Sequence, residues 1–126
     1  MDEFIKNACT GSILAKYYSL LESVFRSVAR RIDDSYVPSA YAGNVWDREL
    51  LELMTMELDG VMPKVLGTDT CLLLNDLREF RFEWQNSSKH DLSKILGMLD
   101  KLPIISGLVL KDFNEFIEPM TLMLEE

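Results

Sequence analysis

The residues best equipped for chemistry fall in one stretch: Arg78, Arg81, Asn86, Ser88 and His90. A guanidinium donates paired hydrogen bonds whose geometry matches a phosphate or a carboxylate. Asparagine donates and accepts hydrogen bonds but does not titrate. Ser88 offers a hydroxyl that could accept a transferred group. His90 is the only histidine of the chain, so it is the one side chain that ordinarily exchanges a proton near neutral pH. It stands nine positions after Arg81, more than two helical turns on unless the helix breaks at Ser87-Ser88. That spacing reads as a helix-end or loop residue. With one histidine, the stretch has little means of moving a proton. Arg81 also has a plainer reading. It can pair with Glu83 or with an acid on another helix, or extend its aliphatic stem along the bundle.

Several other chemistries lack their residues. One histidine cannot furnish two Glu-x-x-His motifs for a di-iron bundle, nor a His/Cys zinc tetrahedron. Cys9 and Cys71 lie far apart in no metal or redox spacing and are expected to be reduced core residues. No Gly-rich phosphate loop or nucleophile elbow is present, and Gly67-Thr68-Asp69 reads as a helix start. No metal and no cofactor are implied. Glu49, Glu52, Glu57 and Asp59 read as the polar side of an amphipathic helix. The methionines, among them Met54, Met56, Met62, Met120 and Met123, read as core filling.

The chain carries 21 acidic and 13 basic residues, a formal net charge of -8. Nonspecific nucleic-acid binding depends on neutralising phosphates with cations, so that role is disfavoured outside a local site. The cluster Arg26, Arg30 and Arg31 is expected at a solvated helix end, where cations complement the helix dipole. The 126 residues, 48% hydrophobic, suit one domain spanning 1–126. The start MDEFIK has acids where a secretory signal needs bases, and no run approaches the ~18 apolar residues of a membrane span. A cytoplasmic protein with no membrane association is expected.

Three- and four-residue spacing of apolar positions predicts helices throughout. The first covers about 2–32, with Ile13, Leu14, Tyr17, Tyr18, Leu21, Val24, Phe25, Val28 and Ile32 facing inward; Thr10-Gly11-Ser12 marks a kink or a later start. Residues 33–44 spell a long loop. Asn44 can cap a second helix over about 46–58, with Trp46, Leu50, Leu53, Met54 and Leu58 inside, ended by Asp59-Gly60. Thr68 or Asp69 can cap a third, reaching about Asn86, with Leu73, Leu74, Leu77, Phe80, Arg81 and Trp84 as its stripe. A fourth begins at Asp91 or Ser93, with Leu92, Ile95, Leu96, Leu99 and Leu102 inside. Pro103 either kinks it or opens a fifth through Leu108, Leu110, Phe113, Phe116, Ile117 and Met120, and Pro119 should bend or fray its last turn. The predicted fold class is all-α, a four- to five-helix up-and-down bundle.

Three segments carry a family resemblance: WDRELLELM (46–54), VMPKVL (61–66) and LREFRFEWQNSSKHDL (77–92). They resemble HepT-like proteins of the HEPN superfamily, and the lead-in GSILAKYYSLLESVFRSVARRID (11–33) is similar to the family's long first helix. The likeness covers about 11–125. Members often carry Trp-His-Arg-Glu-Leu-Leu on one helix and an Arg-x4-His-x-Tyr motif on a later one. The resemblance implies a HEPN-like helical bundle that dimerises across the motif helix. Active relatives are metal-independent RNase toxins, neutralised by a nucleotidyltransferase antitoxin that modifies the tyrosine. Here Arg81 matches the motif's arginine, Asn86 stands where histidine would, and Ser88 stands where tyrosine would. Phe82 and Asp47 replace two further histidines of the family pattern, while Arg78 and Arg48 remain. The resemblance thus implies tentative catalytic positions at Arg81 and Asn86, and ligand contacts at Arg78, Arg81, Asn86 and Ser88.

Asparagine cannot replace imidazole as an acid–base group. The expected function is therefore a helical interaction subunit: a homodimer, paired with a nucleotidyltransferase-type antitoxin, that contacts RNA or a nucleotide without cutting it. The alternatives are an active RNase toxin with a variant site around Arg81, and an unrelated acidic helical adaptor.

Overall fold

The computed structural model describes residues 3–32, 44–57, 62–87 and 91–125, apart from side chains at 4, 32, 44–46 and 123–125. Ser88, His90, the 33–43 loop, Leu58, Asp59-Gly60 and the side chains of Ile32 and Trp46 lie outside the described residues. Those described form an all-α bundle of four helices: α1 (Glu3–Ile32), α2 (Asn44–Leu53), α3 (Thr68–Asn86) and α4 (Leu92–Glu125).

Each helix buries one row of apolar side chains. On α1 the row is Leu14, Tyr18, Leu21, Phe25 and Ala29, the spacing that keeps residues on one helical face. It meets Leu50, Leu51 and Met54 from the α2 end, Leu74, Leu77 and Phe80 from α3, and Ile95, Met98, Ile105 and Val109 from α4. Each fully buried large side chain contributes roughly 1.5–3 kcal/mol relative to exposure.

Pairs of residues fix the helix directions. Gly11 meets Trp84 while Glu22 meets Arg81, so α1 and α3 run antiparallel. Glu83 with Lys94 and Asp76 with Lys101 make α3 and α4 antiparallel. Tyr17 with Ser106 and Phe25 with Phe113 make α1 and α4 parallel. Leu51 lies by Cys71 and Asp47 by Arg81, so α2 and α3 form a helical hairpin. The up-and-down alternation holds from α2 through α4, and α1 runs in the direction of α2.

Four local expectations change. α2 ends at Leu53 rather than Leu58, because the Met54 carbonyl accepts the N–H groups of both Val65 and Leu66, at 2.9 Å each. α4 is one helix through Pro103 and Pro119. Each proline removes a donor to the residue four positions back, and those residues, Leu99 and Glu115, are exposed, so water can serve their carbonyls. α1 passes through Gly11 unbroken; a Cβ there would collide with the Trp84 ring, so the glycine lets that indole lie against the α1 backbone. The α3 cap is Gly67, with Thr68 and Asp69 inside the helix, and the Gly67 N–H donates to Asp112 Oδ2 at 2.9 Å.

The inner faces also turn slightly from those predicted. Ile13 and Val24 on α1, and Leu92, Leu96, Leu99, Leu110 and Ile117 on α4, are exposed. Cys9 is exposed rather than a core residue, and Cys71 is partly buried, its thiol pushed up by burial and then by the charge of Glu52. Met54 and Met62 do fill the core, while Met56 is exposed. Arg30 and Arg31 are exposed in the last turn of α1. Among the described residues no helix is long and apolar enough to cross a membrane.

Candidate functional site

Arg81 points inward. Helical spacing puts it on the α3 face of Leu74, Leu77 and Arg78, and it is 6% exposed. Its Nη2 donates to Glu22 Oε2 of α1 at 2.8 Å and to Asp47 Oδ2 of α2 at 2.6 Å. Its Nη1 donates to Ser19 Oγ at 3.3 Å. The guanidinium carbon sits 4.7 Å from the centroid of the Tyr18 ring, within range of a cation–π attraction. One side chain thus ties three helices together.

The electrostatics follow from this placement. Burial pushes the Glu22 carboxyl up, but hydrogen bonds and charge from Arg81 and Arg26 overcome it and hold the group below its ordinary value. Arg26 Nη2 lies 2.5 Å from Glu22 Oε1. Asp47 moves the other way: burial raises it first, the charge of Glu22 adds to this, and Arg81 offsets them only in part. Glu22 is hydrogen-bonded by both Arg81 and Arg26, whereas Asp47 shares Arg81, gains a smaller lowering from Arg78 and faces the Glu22 charge. Burial pulls Arg81 down, yet the two carboxylates raise it on balance, and it stays charged. Burial, then Glu22, raises the Tyr18 phenol well out of the physiological range.

The other residues singled out in the sequence are placed differently. Arg78 is 2% exposed; its Nε donates to Asn75 Oδ1 at 3.0 Å, and its Nη2 lies 3.8 Å from Glu79. Asn86 is exposed in the last turn of α3, and its Nδ2 donates to the Phe82 carbonyl at 2.8 Å. It borders an open groove of about 400 Å³ with Phe82, Trp84 and Lys94 among the lining. Arg81 does not line that groove. The structure therefore brings Arg81 together with Glu22 and Asp47, and leaves Asn86 on a different part of α3. Arg48 is exposed.

As arranged, a phosphate at the guanidinium would compete with its two carboxylates, leaving Glu22 to Arg26 alone and the half-buried Asp47 without its ion pair. Glu22 was missed from the sequence. The signal was there: it stands four residues after Tyr18 and three before Phe25, an acid in the buried row. Among the described residues no group of His, Cys, Asp and Glu is placed to hold a metal.

The family described as HepT-like protein matches residues 9–120. No curated protein and no solved structure matches the chain.

Proposed function

Since the chain belongs to the HepT-like family, we propose that it is a non-cleaving helical interaction subunit, a cytoplasmic homodimer that pairs with a nucleotidyltransferase-type antitoxin. The observation that carries this reading is the commitment of Arg81 to Glu22 and Asp47 within its own protomer. RNA cleavage by attack of the 2′-hydroxyl needs a proton-transfer group and a cation for the phosphate. Here the motif histidine is replaced by Asn86, which does not titrate, and the motif arginine is neutralised inside the bundle. Contact with RNA or a nucleotide falls to the exposed groove beside Asn86, where a base could lie against Phe82 and meet the amide. The family match removes the reading as an unrelated adaptor, and no observation favours the variant RNase.

The test is incubation of the purified chain with single-stranded RNA, alongside co-expression with a minimal nucleotidyltransferase. Intact RNA and a co-eluting complex are expected. Cleavage by the wild type that is lost in a folded Arg81→Lys variant would overturn the reading.

A further inference from the structure

Two rows of exposed apolar side chains serve neither the core nor the Arg81 network. On α1, Ile13, Leu20 and Val24 are exposed, and with Tyr17 they follow the alternating four- and three-residue steps of a helix-packing seam. On α4, Leu92, Leu96, Leu99, Leu110 and Ile117 follow the same steps, with Pro103, Ser106 and Phe113 filling the gaps. A 3.0 Å hydrogen bond between Tyr17 Oη and Ser106 Oγ joins the two parallel helices there. An open hollow of about 530 Å³ lies beside Ile13, Lys16, Tyr17 and Leu20. The residues of α1 that meet α3, Gly11 and Glu22, and those of α4 that do so, Lys94 and Lys101, lie on other sides of their helices. The rows thus form one face turned away from α3, and a homodimer across α3, as the family resemblance implies, leaves it open.

We infer that this face docks an amphipathic helix of the nucleotidyltransferase-type partner, with the apolar stripe of that helix against the two rows and its acidic flank along α1. The inference rests on the pairing proposed above and assigns its surface. Eight aliphatic side chains, each 42–64% exposed, leave on the order of 600 Å² of apolar surface, the upper end for a chain's largest patch. At 1.5 Å per residue the α1 row from Ile13 to Val24 is about 17 Å long, and the α4 row from Leu99 to Ile117 about 27 Å. A helix of roughly 12–18 residues covers that length. The furrow between two parallel helices takes such a helix by its apolar positions three and four residues apart.

Charge decides the flank. The chain is acidic overall, at -8, yet α1 carries five basic residues against two acidic ones. From Lys6 to Arg31 it exposes Lys6, Lys16, Arg30 and Arg31 and no acid, because Glu22 is buried. Lys16 stands between Ile13 and Leu20 on the helix surface, and Lys6 and Arg31 continue the apolar row by one heptad step at either end. The α4 row has no charge, and its outer edge mixes Asp100 and Glu118 with Lys111, so it favours neither sign. The α1 edge therefore selects carboxylates. A second copy placed here would bring the same cations together or set them against the uncharged α4 row, with no line of carboxylates to meet them.

Co-purification of the chain with a co-expressed minimal nucleotidyltransferase tests this. The variants are Leu20→Asp and Leu110→Asp on the face, Lys16→Glu at its edge, and Ile104→Asp at an equally exposed position on another side of α4. Wild type and Ile104→Asp should form the complex. Leu20→Asp and Leu110→Asp should lose it while keeping the helical circular dichroism and the solution mass of the wild-type chain. Lys16→Glu should weaken it about tenfold and reduce its sensitivity to salt, as loss of a rim charge does. A complex that survives both aspartate variants, or that Lys16→Glu tightens, overturns the assignment and leaves the pairing standing. A fall in the mass of the isolated chain with Leu20→Asp or Leu110→Asp gives the face to a second copy and also overturns it. No complex with the wild type overturns the pairing and the face together.

Discussion

Asp47 Oδ2 lies 2.6 Å from Arg81 Nη2. That carboxylate supplies a negative charge that holds the guanidinium inside the protomer. With Glu22 on the other side, Arg81 becomes the link between α1, α2 and α3.

Removing that link should unfold much of what it joins. Arg81→Ala leaves the half-buried Asp47 without its cation and Glu22 with Arg26 alone, a loss of about 2–4 kcal/mol, somewhat below that of a fully buried broken pair. Urea denaturation should show it directly. A variant within 1 kcal/mol of wild type, the scale of an exposed pair, would mean that the network carries little of the fold.

Stability against pH should separate the two acids. Glu22 is held below its ordinary value of 4.5, because Arg81 and Arg26 outweigh the opposing effect of burial. Its stabilising contribution is present above that ordinary value and is lost as pH falls through the lowered one. Asp47 is raised above 3.8, by burial first and by Glu22 next. Its contribution is present below 3.8 and is lost as pH rises through the raised value. Glu22→Gln should therefore flatten the acid side of the profile, and Asp47→Asn should remove the loss seen as pH rises. Urea midpoints measured over roughly pH 3–7 check both slopes; parallel profiles for the two variants would contradict the assignment.

Gly11→Ala should destabilise the protein although alanine is the better helix former. The intrinsic gain is about 1 kcal/mol, but the added methyl collides with the Trp84 ring, and overpacking of this kind costs typically 1–3 kcal/mol. The double variant Gly11→Ala/Trp84→Leu should recover part of the loss. A thermal midpoint higher than wild type for Gly11→Ala alone would show that the indole moves aside freely.

The start of α3 depends on a residue of α4. No side chain near Gly67 caps the helix, and the Gly67 N–H is accepted by Asp112 Oδ2. Asp112→Ala should cost about 0.5–2 kcal/mol, the range of a lost N-cap acceptor. Hydrogen exchange at Gly67 and in the first turn of α3 should quicken. Unchanged protection there would assign the carboxylate no such role.

Much of this architecture is legible in the sequence, for local reasons. The end of α3 follows from the Asn86-Ser87 segment after it, and helical spacing gives the centre of each buried row, such as Leu14, Tyr18, Leu21 and Phe25 on α1, though not its edges. What the sequence conceals depends on contacts between distant segments. The early end of α2 is set by Val65 and Leu66 donating to the Met54 carbonyl, which no pattern within α2 announces. The continuity of α4 through Pro103 depends on which side of the helix meets solvent. The partners of Arg81 lie 59 and 34 positions away. The sequence allows an acid on another helix to take the guanidinium, but no spacing rule connects residue 81 to residues 22 and 47.

Arg81 is held by carboxylates of its own protomer, and the proposed function requires that it is not offered to a ligand. Nitrogen-edited NMR of the arginine Nε–Hε resonances, followed while a short single-stranded RNA is added, tests this most directly. The Arg81 resonance should keep its position through the titration, with any shifts confined to groups around the Asn86 groove. A saturable shift of the Arg81 resonance, with release of its bonds to Glu22 and Asp47, would contradict the account.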